Sequence, residues 1–175
     1  MNSKKVLVPL ATLVAAGAIA VGSGATFDST TSNTISSVTS GTLDHTNSKN
    51  NAAIFNLVDM KPGDVVNGRL SLKNTGSLPA AFSLTETSSV NGFSADYLPL
   101  RITNDTTGAQ VFAGNFGALV DGAKTDLGEI AAGVTNNFTF SVRLDPAAPN
   151  TQQGKTASAA YQWDSVQLAA QTHEQ

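Results

Sequence analysis

Two histidines, His45 and His173, are the only imidazoles in the chain, and they bound the metal and acid–base chemistry the sequence could carry. A zincin needs two histidines four residues apart on one helical face, so that both rings meet the metal, with a glutamate between them to activate water. Neither histidine has that surrounding, and His173 stands beside Glu174 in a short polar tail, so both read as solvated side chains. There is no cysteine, hence no thiolate nucleophile or ligand and no disulfide. His45 is the single candidate base outside the tail, which leaves no Ser-His-Asp arrangement to argue from the sequence. The carboxylates Asp121, Asp126 and Glu129 are spaced loosely and read as a surface loop, since a calcium site shows a denser run of oxygen ligands. Asn104-Asp105-Thr106 and Asn137-Phe138-Thr139 match the glycosylation sequon and are read as incidental. The expectation is a protein that is not an enzyme, with no catalytic residue, no cofactor and no metal ligand.

The elements around these residues read as strands. In residues 61–84, Lys61-Pro62-Gly63-Asp64 has the proline–glycine pair of a type II turn, and Val66, Gly68, Leu70 and Leu72 then alternate with Asn67, Arg69, Ser71 and Lys73. Asn74-Thr75-Gly76-Ser77 supplies a second turn, and Ala80, Phe82 and Leu84 resume the alternation, which predicts a β-hairpin. Further strands are expected at residues 42–45, at Ala53, Phe55 and Leu57, and at Leu98, Leu100 and Ile102, with a turn at residues 105–108. Residues 86–97 read as irregular, and residues 114–133 have no clean period. Residues 134–144 alternate again through Phe138, Phe140, Val142 and Leu144. In the last strand, residues 157–168, Ala159, Tyr161 and Trp163 share a face while Val166 and Leu168 take the other, which predicts a bulge near Asp164. Many short strands between turns, with no periodic stretch of helical length, indicate an antiparallel sandwich.

Composition agrees. The chain of 175 residues is 41% hydrophobic but 13% charged, about half the usual charged share. The first 25 residues have the layout of a secretory signal peptide: Lys4 and Lys5, an apolar run over residues 6–21, then small residues with Ser23 and Ala25 at the −3 and −1 positions. Cleavage is expected between Ala25 and Thr26, with a cut after Ala20 as the alternative. The apolar run is short of the ~20 residues of a spanning helix and contains Pro9 and Gly17, so membrane contact is expected only through the uncleaved signal peptide. Loss of Lys4 and Lys5 takes the formal charge from −3 to −5, and no basic run remains, which argues against a nucleic-acid partner.

Residues 26–40 are rich in threonine and serine, lack proline and carry too few apolar residues to form a core alone. Phe27 and Ile35 share one parity and Val38 has the other. The expected organisation is a signal peptide over 1–25, this segment over 26–40, a β-sandwich domain over 41–170 and a polar tail over 171–175.

Taken together, GATF after the signal region, SGTLD at residues 40–44, NLVDMKPGD at 56–64, LKNTGSL at 72–78 and YQWDSVQ at 161–167 resemble the TasA/camelysin family of exported bacterial proteins. The resemblance implies an all-β, antiparallel jelly-roll sandwich, export through a signal peptidase, and a place in the biofilm matrix or on the cell surface. Fibre-forming members donate an N-terminal segment as a strand to the next subunit; camelysin-like members are described as metalloproteases. The expected function is therefore a secreted structural protein that forms a head-to-tail homopolymer, with Phe27, Thr31, Ile35 and Val38 as the donor-strand positions and other matrix proteins as further partners. Because donor and acceptor surfaces differ, such a contact does not close on itself and generates a filament. The alternatives are a camelysin-like secreted metalloprotease and a monomeric Ig-like surface adhesion module.

Overall fold

The computed structural model describes residues 28–30, 37–38, 41–57 and 60–169. Its strands, in chain order, are β1 (Asp28–Thr30), β2 (Ser37–Val38), β3 (Gly41–Thr42), β4 (His45–Asn47), β5 (Val65–Asn74), β6 (Ala80–Asn91), β7 (Pro99–Asn104), β8 (Ala109–Asn115), β9 (Lys124–Ile130), β10 (Thr135–Arg143) and β11 (Ala157–Gln167). They form a four-stranded sheet in the order β1-β11-β6-β9, a five-stranded sheet in the order β4-β5-β10-β7-β8, and a small β2-β3 ribbon. Every pairing is antiparallel. The fold is all-β, as the alternation predicts.

The core lies between the two larger sheets. Leu70 and Leu72 of β5, Leu100 and Ile102 of β7, and Phe138, Phe140 and Val142 of β10 are buried at every second position, so each strand turns one face inward. Ala80, Phe82 and Leu84 of β6, Ile130 of β9 and Trp163 of β11 meet them from the other side. Aromatic contacts tie the layers: Phe138 to Trp163 with centroids 5.5 Å apart, and Phe140 to Tyr161 at 5.3 Å. With no disulfide, each such buried side chain, worth about 1.5–3 kcal/mol, carries the stability.

The turn at residues 61–64 forms as predicted. Asp64 N–H donates to the Lys61 carbonyl at 2.9 Å, and Gly63 takes the positive φ of 97° that a type II turn demands at its third residue. The hairpin that should follow it does not form. β5 belongs to the five-stranded sheet and β6 to the four-stranded sheet, so Leu72 and Phe82 both face the core from opposite sheets. The reason is the corner between them. Asn74 is buried and its side-chain amide donates to the carbonyls of Leu78 and Ile130, both at 2.8 Å, which pulls the chain across to β9. The Gly76 and Ser77 amides meanwhile bond to Asp44 and Thr42 carbonyls. A periodic pattern reports which face is buried; it does not report which neighbour a strand takes.

Three further expectations are corrected. Residues 53–57 are not a strand: Ile54, Phe55 and Leu57 pack against the core as a crossing segment whose Ile54 carbonyl sits against Gly68, where a Cβ would collide. The irregular reading of residues 86–97 fails because β6 continues to Asn91. The bulge near Asp164 is absent: the register with β6 runs unbroken from Tyr161 to Gln167, and the register shift lies at Ala160/Tyr161, where β6 carries the extra residue, Thr87. The unplaced stretch contains β9, whose shift at Leu127 beside Gly128, at φ 83°, disguised its alternation.

Candidate functional site

Among the described residues, the two edges of strand β11 are paired to different lengths. Along one edge β6 pairs with it from Gln167 to Ala157. Along the other, β1 accompanies it only at Asp28↔Val166, Ser29↔Ser165 and Thr30↔Asp164. Among the described residues, nothing pairs with that edge between Ala157 and Trp163. An edge strand of this length is a template on which another strand can pair.

A groove of about 380 Å³ runs along this edge. One wall is β11 from Ala159 to Trp163, and the other is the segment from Asn47 to Phe55 that leaves β4. The sequence makes the space. Ala157, Ala159 and Ala160 carry little side-chain volume, while Tyr161 and Trp163 supply apolar surface toward the core. The opposite wall is a turn held by Asn47, whose carbonyl accepts from Asn50 N–H at 3.1 Å and whose side-chain oxygen accepts from Lys49 N–H at 2.8 Å. Asn51 follows in the left-handed region at φ 56°, a conformation asparagine tolerates.

Behind the groove, His45 of β4 reaches across to the other sheet. Its Nδ1 lies 2.9 Å from Ser165 Oγ, and its ring packs edge-on against Phe82 with centroids 5.5 Å apart. His45 is 6% exposed and Ser165 0%, so the reading of His45 as a solvated side chain is overturned. Burial lowers its pKa, opposed by the nearby Asp44 and Asp164 carboxylates. A histidine–serine pair invites a hydrolytic reading, but the serine hydroxyl is closed off inside the sandwich, where no substrate carbonyl can approach it. Asp164 points away from the pair; it is buried on the other face of β11, accepting from Gln162 Nε2 at 2.8 Å and lying 3.5 Å from Lys124 Nζ.

A further buried ionisable group is Glu86, 1% exposed on the inward face of β6 and directly opposite Tyr161 in register. Neither carboxylate oxygen has a hydrogen-bond partner among the described residues. Burial raises its pKa; the Ser89 and Tyr161 hydroxyls lie near enough to oppose that rise, though neither closes to hydrogen-bonding geometry, and burial likewise raises the Tyr161 phenol.

Of the residues singled out in the sequence, Ala25, Thr26, Phe27, Thr31 and Ile35 lie outside the described residues. Val38 stands in β2, opposite Gly41 of β3. Asp121, Asp126 and Glu129 are exposed, and Asp126 Oδ1 accepts from the Gly128 amide at 2.8 Å, a local turn contact. His173 also lies outside the described residues. Sequence reasoning missed both buried polar pairs. Partners as far apart as His45 and Ser165 leave no local signal, whereas Glu86 shares the parity of Phe82 and Leu84 and was legible as an inward carboxylate.

A family model described as Camelysin metallo-endopeptidase matches residues 3–97, more than half of the 175-residue chain. No curated protein matches it. The description implies a metal, and the described donors do not fit one. Among the described residues no group of three or more His, Cys, Asp or Glu side chains could hold an ion, and the histidine among them is sealed against Phe82 and Ser165.

Proposed function

The chain belongs to the camelysin/TasA family, and on that footing we propose that it is an exported structural subunit of the extracellular matrix or cell surface that polymerises by donating its N-terminal segment to the next subunit. The observation that carries this reading is the antiparallel pairing of β1 with β11, from Asp28 opposite Val166 to Thr30 opposite Asp164, which puts a segment near the N-terminus on one edge of the sandwich. Strand order supports it. With β1 counted as the first strand, β1-β11-β6-β9 faces β5-β10-β7-β8 in the pattern of a jelly roll, so residues near the N-terminus supply a strand the sandwich needs.

The β1 register also predicts how a longer donor would seat. Carried onward, it sets Phe27 opposite Gln167, Thr31 opposite Trp163 and Ile35 opposite Ala159. In an antiparallel pair, opposite residues point to the same face, and Trp163 and Ser165 face the core. Thr31 and Ile35 would then enter the groove with the inward parity, Phe27 keeping that parity beyond its end, while main-chain bonds fill the edge. In the isolated subunit β1 lies on its own β11; exchange replaces that pairing by the same pairing with a neighbour. The main-chain bonds of that pairing are conserved on exchange. An uncleaved signal peptide would hold the segment and block exchange, making cleavage after Ala25 the step that permits assembly.

The test is electron microscopy and sedimentation of the chain beginning at Thr26 beside one lacking residues 26–40. Fibres from the first and a folded monomer from the second are expected; fibres of equal yield from the truncated chain would refute the reading.

A further inference from the structure

The sequence shows no run of basic residues, yet folding assembles one. Arg69, Arg101 and Arg143 are all the arginines of the chain, and they fall on three neighbouring strands, β5, β7 and β10, of the five-stranded sheet. All three alternate with buried core residues and are exposed on the outer face, as is Lys73 of β5. The registers fix their spacing. Arg101 stands opposite Ser141, two positions from Arg143 on the same strand, and Arg69 stands opposite Thr139, which also faces Thr103. Arg101 and Arg143 are thus diagonal neighbours, about 7–8 Å apart at the backbone and within reach of each other's side chains.

This positive field is only partly offset by nearby carboxylates. The salt bridge among the described residues, Lys124 to Asp164, lies on the other sheet. The carboxylate set among the arginines is Asp105, and it accepts from Thr103 Oγ1 at 3.0 Å and Thr139 Oγ1 at 2.6 Å. At the end of the sheet Asp64 and Asp145 accept from the backbone amides of Lys61 and Ala147. A chain of net charge −3 therefore holds Arg101 and Arg143 as diagonal neighbours, with Arg69 and Lys73 on the same face and none of the four in a salt bridge among the described residues, an arrangement that favours a multivalent anion bridging them.

We propose that the outer face of the five-stranded sheet docks a linear acidic polysaccharide. Guanidinium forks match carboxylates in two parallel hydrogen bonds, and the groups between them, Asn67, Ser71, Asn137 and Ser141, offer the hydroxyls and amides that sugar hydroxyls pair with. The outward positions of β5, β7 and β10 carry no aromatic ring, so the stacking platform that single-stranded nucleic acid uses is missing. The face lies on the opposite layer from the β11 edge, and the inference does not depend on polymerisation.

The experiment is binding of the purified protein to immobilised polygalacturonate, with inorganic polyphosphate and single-stranded DNA as parallel probes. Binding at low salt, weakened by added salt as exposed ionic contacts are screened, is expected. The double variant Arg101→Gln/Arg143→Gln should bind about tenfold or more weakly, because it removes two charge-assisted contacts, while Lys155→Gln binds as the parent does. Circular dichroism of the arginine variant, whose substitutions are exposed, should superimpose on that of the parent. Absence of polygalacturonate binding at low salt, equal binding by the arginine variant, or tighter binding of polyphosphate or DNA than of polygalacturonate would each overturn the assignment.

Discussion

His45 Nδ1 sits 2.9 Å from Ser165 Oγ, joining the edge strand of one sheet to β11 at the residue that pairs with Ser29 of β1. This contact closes the side of the sandwich beside the candidate acceptor edge, and it works with a neutral ring. The burial that lowers the His45 pKa below 6.5 means that the unfolded chain binds a proton more readily than the folded one. The stability this contributes is complete above pH 6.5 and is lost as pH falls through the folded value. Urea midpoints of the wild type should drop between pH 7 and pH 5, and the drop should shrink in His45→Gln. Because the raised Glu86 carboxyl adds a pH dependence of opposite sign, the difference between the two proteins, rather than either curve alone, isolates the histidine. Parallel curves would show that His45 is not the group responsible.

Glu86 should behave in the opposite sense. Its carboxyl, buried beside Tyr161 without a hydrogen-bond partner, is held above 4.5, so the folded chain binds the proton more tightly than the unfolded one. That contribution is present below pH 4.5 and is lost as pH rises through the folded value. Glu86→Gln removes the charge at constant shape. Its denaturation midpoint should exceed the wild type's at pH 7 and match it near pH 4. A lower midpoint at pH 7 would mean that the carboxylate is satisfied in the folded protein.

Phe140, fully buried, lies 5.3 Å from Tyr161 and 6.1 Å from Trp163 across the sandwich. Phe140→Ala should cost about 3–5 kcal/mol by lost burial and cavity formation, whereas Val134→Ala, at 42% exposure on the approach to β10, should fall within about 0.5 kcal/mol of wild type. Equal losses, measured by chemical denaturation, would contradict the placement of the core.

This contrast marks what the sequence could tell. Phe138, Phe140 and Val142 announce an inward face by spacing alone, and the same spacing gives Leu70, Leu72, Leu100 and Ile102 correctly. It could not say that β5 and β6 part company, because that depends on Asn74 reaching the Ile130 carbonyl far along the chain. Nor could it separate a strand at residues 53–57 from a crossing segment, since Phe55 and Leu57 are half-buried under either arrangement. The arginine face is invisible in one dimension for a related reason: its members lie on three strands whose adjacency is a product of topology.

The crossing segment makes its own prediction. A Cβ on Gly68 would meet the Ile54 carbonyl, and that backbone is held between β5 and the core. Gly68→Ala should destabilise by about 1–3 kcal/mol through forced displacement. Gly108, at a positive φ of 75° with open space around it, should lose less on conversion to Asn, a residue that tolerates the left-handed region. If Gly68→Ala unfolds at the wild-type midpoint, the segment does not lie where it is placed.

The absence of native cysteine permits a direct test of whose β11 the N-terminal strand occupies. Asp28 and Val166 stand opposite each other in an antiparallel pair, which sets their Cα atoms about 4.5–5.5 Å apart, inside the range a disulfide can span. The double variant Asp28→Cys/Val166→Cys, oxidised as an isolated subunit, should form an intramolecular bridge and migrate as a compact monomer. Oxidised after assembly, the same protein should give a covalent ladder on a non-reducing gel, because each bridge then joins the segment of one subunit to β11 of the next. The single variants can make at most symmetrical dimers and so cannot produce the ladder. Assembled material that yields only bridged monomers would mean that the strand never leaves its own sheet, and that fibres, if present, are built through another surface.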